Sequence, residues 1–278
     1  MDSDEPLHPN GIALEPGGSF LLAHLGDEHG AIVRLFADGK TELVTDEVDG
    51  QPMPPANFVT KDVQGRIWIT VSTRVVPRAD DYRSTASTGF IARYENGKAT
   101  VQVDGLGYAN EMAFSPDGKT ACINETFARR TTAFDVNESG RLLNKRTVAT
   151  YGAGTFPDGV TFDANGDLWI TSIISNRIIK ITSAGPEIVL EDSDPEHVDW
   201  VETAFVNGDL GRPHLDNAVS KRLSNISNLA FGGMDLKTAF LGNLLDDKIY
   251  AFQVPTAGHP LPHWDAELGP LSDFLETP

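Results

Sequence analysis

One interval recurs five times in this chain and restricts what it can fold into. A polar residue opens a short apolar run, and a tight turn begins five positions later. Asn10 precedes Gly11-Ile12-Ala13-Leu14 and the turn Glu15-Pro16-Gly17-Gly18, and Asn57 precedes Phe58-Val59 and the turn Asp62-Val63-Gln64-Gly65. Asn110 precedes Met112-Ala113-Phe114 and Ser115-Pro116-Asp117-Gly118. Asp158 precedes Gly159-Val160-Thr161-Phe162 and Asp163-Ala164-Asn165-Gly166, and Asn228 precedes Leu229-Ala230-Phe231 and Gly233-Met234-Asp235-Leu236. A second run rich in β-forming residues follows each turn, as in Asp167 to Ser172 with its Trp, Ile and Thr. Units of about 50 residues, each holding several short strands, predict an all-β fold, a β-propeller of four-stranded blades.

The outer strands follow the same plan. The first unit continues through Ala31 to Phe36, a turn at Ala37-Asp38-Gly39, and Lys40 to Thr45. The second has a long polar loop from Thr73 to Thr88, of a length that is usually functional or disordered, before Gly89 to Tyr94 and Lys98 to Val103. The third has Thr131 to Val136 and Arg146 to Thr150, and the fourth has Arg177 to Thr182 and Pro186 to Leu190. Residues 192–226 then break the pattern. Val198 to Phe205 spaces its apolar residues at helical intervals, and Gly208 or Gly211 offers a stop. This predicts a helical insertion near 195–225 over one face, either a lid or a plug over apolar surface. The fifth unit reaches Lys248 to Gln253 with no clear fourth strand, and the tail from Thr256 reads as loop. The expectation is one domain over 1–278 with five blades visible, the last incomplete. Either the tail closes the ring or a blade is absent on the N-terminal side.

Composition narrows the partners. With 40 acidic against 22 basic residues the net charge is −18, which argues against nucleic acid or an anionic membrane. No apolar run is long enough to cross a bilayer, and the acidic start has no apolar secretory core, so a cytoplasmic location is expected. The single cysteine, Cys122, lies in an apparent strand; it makes no intrachain disulfide or Cys-based zinc site and reads as a buried, inert thiol. The seven histidines form no His-x-x-x-His pair, and no Gly-x-Ser-x-Gly elbow or Gly-rich phosphate loop is present.

All blades of a propeller start their inner strand from the same face, so Asn10, Asn57, Asn110, Asp158 and Asn228 should converge on one mouth of the channel. Four amides and a carboxylate make a ring of hard oxygen donors, suited to Ca²⁺ or Mg²⁺. The competing reading is that Asn or Asp before Gly, as at Asn10 and Asp158, only forms turns.

His8-Pro9-Asn10-Gly11-Ile12-Ala13-Leu14, Asn110 with Phe114-Ser115-Pro116-Asp117-Gly118-Lys119, Pro157-Asp158-Gly159 with Phe162-Asp163, and Ala230-Phe231-Gly232-Gly233 form an ordered series. Over about residues 8–255 it resembles the SMP-30/gluconolactonase (regucalcin-like) family. The resemblance implies a six-bladed propeller with one divalent cation in its channel, usually Ca²⁺, with Mg²⁺, Mn²⁺ or Zn²⁺ as alternatives. It implies a small-molecule substrate, a lactone or ester, or in more distant relatives a phosphotriester. Carried onto this sequence, the metal ligands are Asn110 and Asp158, with Asp158 also the catalytic water-activating group. Asn57 falls on a substrate-facing Asn, followed here by Phe58 where the family often has Asp; Asn10 and Arg74 are further substrate-binding candidates. The family's third ligand is a Glu that opens the blade before the one Asn10 begins. That blade is not seen here, which reads as a truncated or divergent member, with Glu125 or Glu202 as replacement candidates. The expected function is a metal-dependent lactonase; the alternatives are a non-catalytic binding propeller and a phosphotriesterase-like hydrolase.

Overall fold

Each predicted repeat forms one antiparallel sheet in the computed structural model, which describes residues 6–218 and 220–272. Blade one holds β1 (Pro9–Leu14), β2 (Phe20–His24), β3 (Ala31–Leu35) and β4 (Thr41–Thr45). A short pair, β5 (Glu47–Val48) and β6 (Gln51–Pro52), leads to blade two: β7 (Ala56–Lys61), β8 (Ile67–Val71), β9 (Gly89–Glu95) and β10 (Lys98–Leu106). Blade three holds β11 (Ala109–Phe114), β12 (Thr120–Glu125), β13 (Arg130–Val136) and β14 (Leu142–Thr150). Blade four holds β15 (Thr155–Phe162), β16 (Leu168–Ile174), β17 (Arg177–Thr182) and β18 (Gly185–Glu191). The fifth sheet has three strands among the described residues, β19 (Ile226–Gly232), β20 (Thr238–Asn243) and β21 (Tyr250–Gln253). The arrangement is a β-propeller, and among the described residues its last blade has no outer strand, as the sequence led one to expect.

The inner-strand turns are held by buried acids. Asp62 accepts from the Gln64 and Arg66 amides at 3.0 Å each and from the Trp68 indole N–H at 2.9 Å. Asp163 repeats this device in blade four, with the Asn165 and Asp167 amides and the Trp169 indole. Each carboxylate satisfies a tight turn and anchors the large aromatic that fills the space between blades.

Blade-to-blade packing forms separate apolar clusters. One joins blades one and two through Ile32, Met53, Val59, Ile69 and Phe90. Another joins blades three and four through Cys122, Ala133, Val160 and Ile170. Cys122 is buried as expected, and burial pushes its thiol up to about 12.

The insertion is helical. Helix α1 (Pro195–Asn207) starts at Asp194, whose side chain caps the Glu196 and His197 amides, and stops at Gly208 with φ 78°. Helix α2 (Arg212–Asp216) follows. Val201, Ala204 and Phe205 of α1 and Leu215 of α2 pack on Tyr82, Tyr108, Phe127 and Phe156, at the tops of blades two to four. The insertion is therefore a packed plug over apolar surface of blades two to four.

The tail runs along the inner-strand turns. His259 N–H donates to Phe162 O, Ala164 N–H to Ala257 O, and Gly17 N–H to Glu267 O, so the segment bridges the turn of blade four and the turn of blade one. Of the two closures expected, the tail does link the first and later blades, by a strap across the turns and not by a strand added to the fifth sheet.

Candidate functional site in the propeller channel

The five inner strands share one irregularity. Their pairing with the second strand slips at Pro9/Ile12, Ala56/Phe58, Ala109/Met112, Pro157/Val160 and Ile226/Asn228. In the first four blades the slip spans the polar residue of the repeat, and in the fifth it spans Ser227, next to Asn228. A β-bulge re-aims a side chain, and at Ala109/Met112 it allows two successive polar residues, Asn110 and Glu111, to reach the channel where a regular strand would admit one.

The ring residues are bonded to each other in sequence. Asn10 Nδ2 donates to Asn57 O at 2.7 Å and to Asn57 Oδ1 at 3.2 Å. Asn57 Nδ2 donates to Asn110 Oδ1 at 2.6 Å, Asn110 Nδ2 to Thr126 Oγ1 at 3.0 Å, and Thr126 Oγ1 to Pro157 O at 2.9 Å. The donor direction fixes each amide's orientation. These side chains thus form a connected network, which a set of isolated turn formers would not.

Asp158 stands beside Asn110, and burial pushes its carboxyl well above the ordinary carboxylate range. The nearby Glu111 carboxylate pushes the same way, while Arg78 and the Asn110 side chain oppose the shift. Burial also pushes Glu111 up, to about 7, against hydrogen bonds from Asn228 and the Val160 amide. Asn228 Nδ2 donates to Glu111 Oε1 at 2.7 Å and Oε2 at 3.0 Å, and Val160 N–H donates to Oε2 at 3.3 Å.

A cavity of about 700 Å³ opens from this ring towards the turns. Asn10, Asn110, Glu111, Asp158 and Asn228 form its polar part; Phe58, Met112, Phe114, Phe162, Phe231 and Leu261 form much of its wall. Neither the Thr73–Thr88 loop nor the helical insertion lines it. The insertion packs instead on blades two to four, and the loop meets the ring through Arg78.

Arg74 stands outside this group. It makes a bidentate pair with Asp104 at 2.7 and 3.1 Å, and its guanidinium lies 4.3 Å from the Phe90 ring centre. The arginine that the loop delivers to the ring is Arg78, bonded to Tyr108 Oη at 2.9 Å, Asn57 Oδ1 at 3.1 Å and Ser72 Oγ at 3.4 Å. Asn57 does not line the cavity; it holds Asn110 and Arg78 in place. Neither Glu replacement candidate reaches the channel. Glu125 accepts from Arg130, Thr132 and the Gly107 amide, and Glu202 accepts from Arg129 and the Gly154 amide. The acid that does reach it, Glu111, was legible only as a charged residue interrupting an otherwise apolar strand directly after Asn110.

Among the described residues no three His, Cys, Asp or Glu side chains are grouped to hold a metal. What the channel offers is two carboxylates and several amide oxygens. That donor set fits a hard cation such as Ca²⁺ better than Zn²⁺. No helix among the described residues is long and apolar enough to cross a membrane.

Fold and channel together define a β-propeller with a polar ring at one end of an apolar-walled channel. The chain belongs to the family described as SMP-30/Gluconolactonase/LRE-like region, matched over residues 2–191. It is similar to Protein STRICTOSIDINE SYNTHASE-LIKE 7 of Arabidopsis thaliana, 26% identical over 168 residues, which cover 58% of this chain and 43% of the plant protein. The chain thus spans less than half the length of that relative. Among solved structures it is similar to a luciferin-regenerating enzyme, with a TM-score of 0.66 at 20% identity, covering 92% of this chain and 82% of the other. It is also similar to a gluconolactonase from Xanthomonas campestris, with a TM-score of 0.63 at 21% identity, covering 89% and 72%. At these identities the structural likenesses establish the fold.

Proposed function

We propose that this chain is a metal-dependent hydrolase of the lactonase type, opening a cyclic ester in the channel. The observation that carries this reading is that Asn110 and Asp158, in contact with each other, face one cavity of about 700 Å³. Family membership and the likeness to a gluconolactonase support the same class. Asn110 and Asp158 are the residues that would hold the cation. A divalent cation bound there would act as a Lewis acid on the ester carbonyl. Asp158 takes the proton of the attacking water, as a positioned carboxylate in a water-poor site can, and returns it to the ring oxygen as the acyl C–O bond breaks. Asn10, at the cavity's edge, contacts the substrate, and Asn57 acts through Asn110 as a positioning residue. The aromatic wall favours a lactone with a hydrocarbon substituent over a polyhydroxylated one, because buried sugar hydroxyls would lack partners along Phe58, Phe114, Phe162 and Phe231.

The test is hydrolysis of γ- and δ-lactones, alkyl-substituted and polyhydroxylated, with added Ca²⁺ and after chelation. Activity that needs the cation and falls by about a hundredfold or more in Asp158→Asn is the expected result. Equal rates in that variant would remove Asp158 from the chemistry. No turnover on any lactone would leave a binding propeller.

A further inference from the structure

We propose that Glu111 supplies the second carboxylate of the channel's cation site, opposite Asp158. The inference rests on reading the channel as a divalent-cation site and goes beyond it by naming a further ligand on the same strand as Asn110.

Three observations support it. First, the bulge at Ala109/Met112 puts Asn110 and Glu111, neighbours in sequence, into the same cavity with Asp158 and Asn228. Three inner strands, β11, β15 and β19, thereby bring their polar residues to one place. Second, Glu111 is aimed. Asn228 Nδ2 donates to both of its oxygens and the Val160 amide to one, which holds the carboxylate at the cavity with lone pairs unused. Third, among the described residues neither Glu111 nor Asp158 forms an ion pair with a basic side chain. The buried carboxylates Glu15, Asp62, Asp81, Glu125 and Asp163 each do. Two close carboxylates repel in a low-dielectric channel, where Arg78 is near Asp158 but bonded to neither acid, and a divalent cation between them would remove the conflict.

The donors can be counted. Glu111 and Asp158 provide up to four carboxylate oxygens, and Asn110 Oδ1 keeps one lone pair beside its bond from Asn57. Asn228 positions Glu111 and is not itself required as a ligand. Asn57 Oδ1 is already occupied by Asn10 and Arg78. Water would complete the six to eight oxygens usual for Ca²⁺.

Calorimetric titration of the full chain with CaCl₂ tests this, alongside the thermal midpoint with and without Ca²⁺. The wild type should bind one ion, Asp158→Asn should lose it, and Glu111→Gln should weaken it by about ten- to a hundredfold, since affinity follows the charge count of the ligands. The Ca²⁺-dependent rise in midpoint should shrink in parallel. Wild-type affinity in Glu111→Gln with loss in Asp158→Asn would overturn the Glu111 assignment and leave the cation site standing. No heat in the wild type would overturn both. Should Glu111→Gln fail to fold, Glu111→Asp keeps the charge and withdraws it by one methylene; an unchanged Kd there is equally fatal to the assignment.

Discussion

At the residue scale, buried acids divide into two kinds. Glu125 is fully buried, and burial alone would raise its pKa; bonds from Arg130, the Gly107 amide and Thr132 outweigh this and hold it below the ordinary range. Its folded pKa is therefore below the unfolded value of about 4.3, so the stability it contributes is present above that pH and is lost as pH falls through the folded pKa. Glu125→Gln should cost about 2–3 kcal/mol at pH 7, less than for a wholly buried pair because Arg130 is partly exposed. The deficit should shrink towards pH 3, as urea melts at the two pH values would report. An equal deficit at both would mean that packing, not charge, sets the loss. Glu111 and Asp158 are the second kind, pushed up by burial with no cationic side chain bonded to either. The sequence pointed to Asn110 and Asp158 because they kept the repeat's register. It could not separate Arg74 from Arg78, because both sit in one polar loop and only the loop's packing decides which turns inward.

At the scale of elements, the insertion shows how much periodicity can carry. The helical spacing of Val198 to Phe205 and the stop at Gly208 were both legible, because an apolar face and a left-handed terminus leave direct traces in composition. The inner-strand bulges left none. Strand propensity says which residues pair and not where pairing slips, so the residue that the bulge turns inward, Glu111, was invisible as a channel residue. Phe205 lies edge-on to Phe156 at 5.2 Å between centroids and under the Arg129 guanidinium at 4.2 Å. Phe205→Ala should destabilise the fold by about 3–5 kcal/mol, measured by urea denaturation. Because the plug does not line the cavity, Ca²⁺ affinity should be unchanged in that variant. A fall in affinity would show that the plug and the ring are mechanically coupled.

At the scale of the whole molecule, the tail matters out of proportion to its plain sequence. Gly18 has φ 81°, and a Cβ there would lie 2.0 Å from Leu268 O. Gly18→Val should therefore expel the strap from the first blade's turn, costing about 1–3 kcal/mol and exposing residues 257–272 to limited proteolysis. Resistance equal to the wild type would show that the strap does not hold the turns together. The tail read as structureless because its order comes from backbone bonds to distant turns, at Phe162, Ala164 and Gly17, and not from any local pattern.

The cavity above the ring has a consequence for traffic. With the ring at its base, it gives arriving and departing molecules the same doorway. On the lactonase reading a neutral ring enters and a carboxylate leaves, from a protein of net charge −18. The molecule's own field then acts as a one-way valve, indifferent to the incoming ester and repelling the outgoing acid. Added salt would weaken that expulsion without altering admission, so accumulated acid would compete for the doorway more effectively in brine than in dilute buffer.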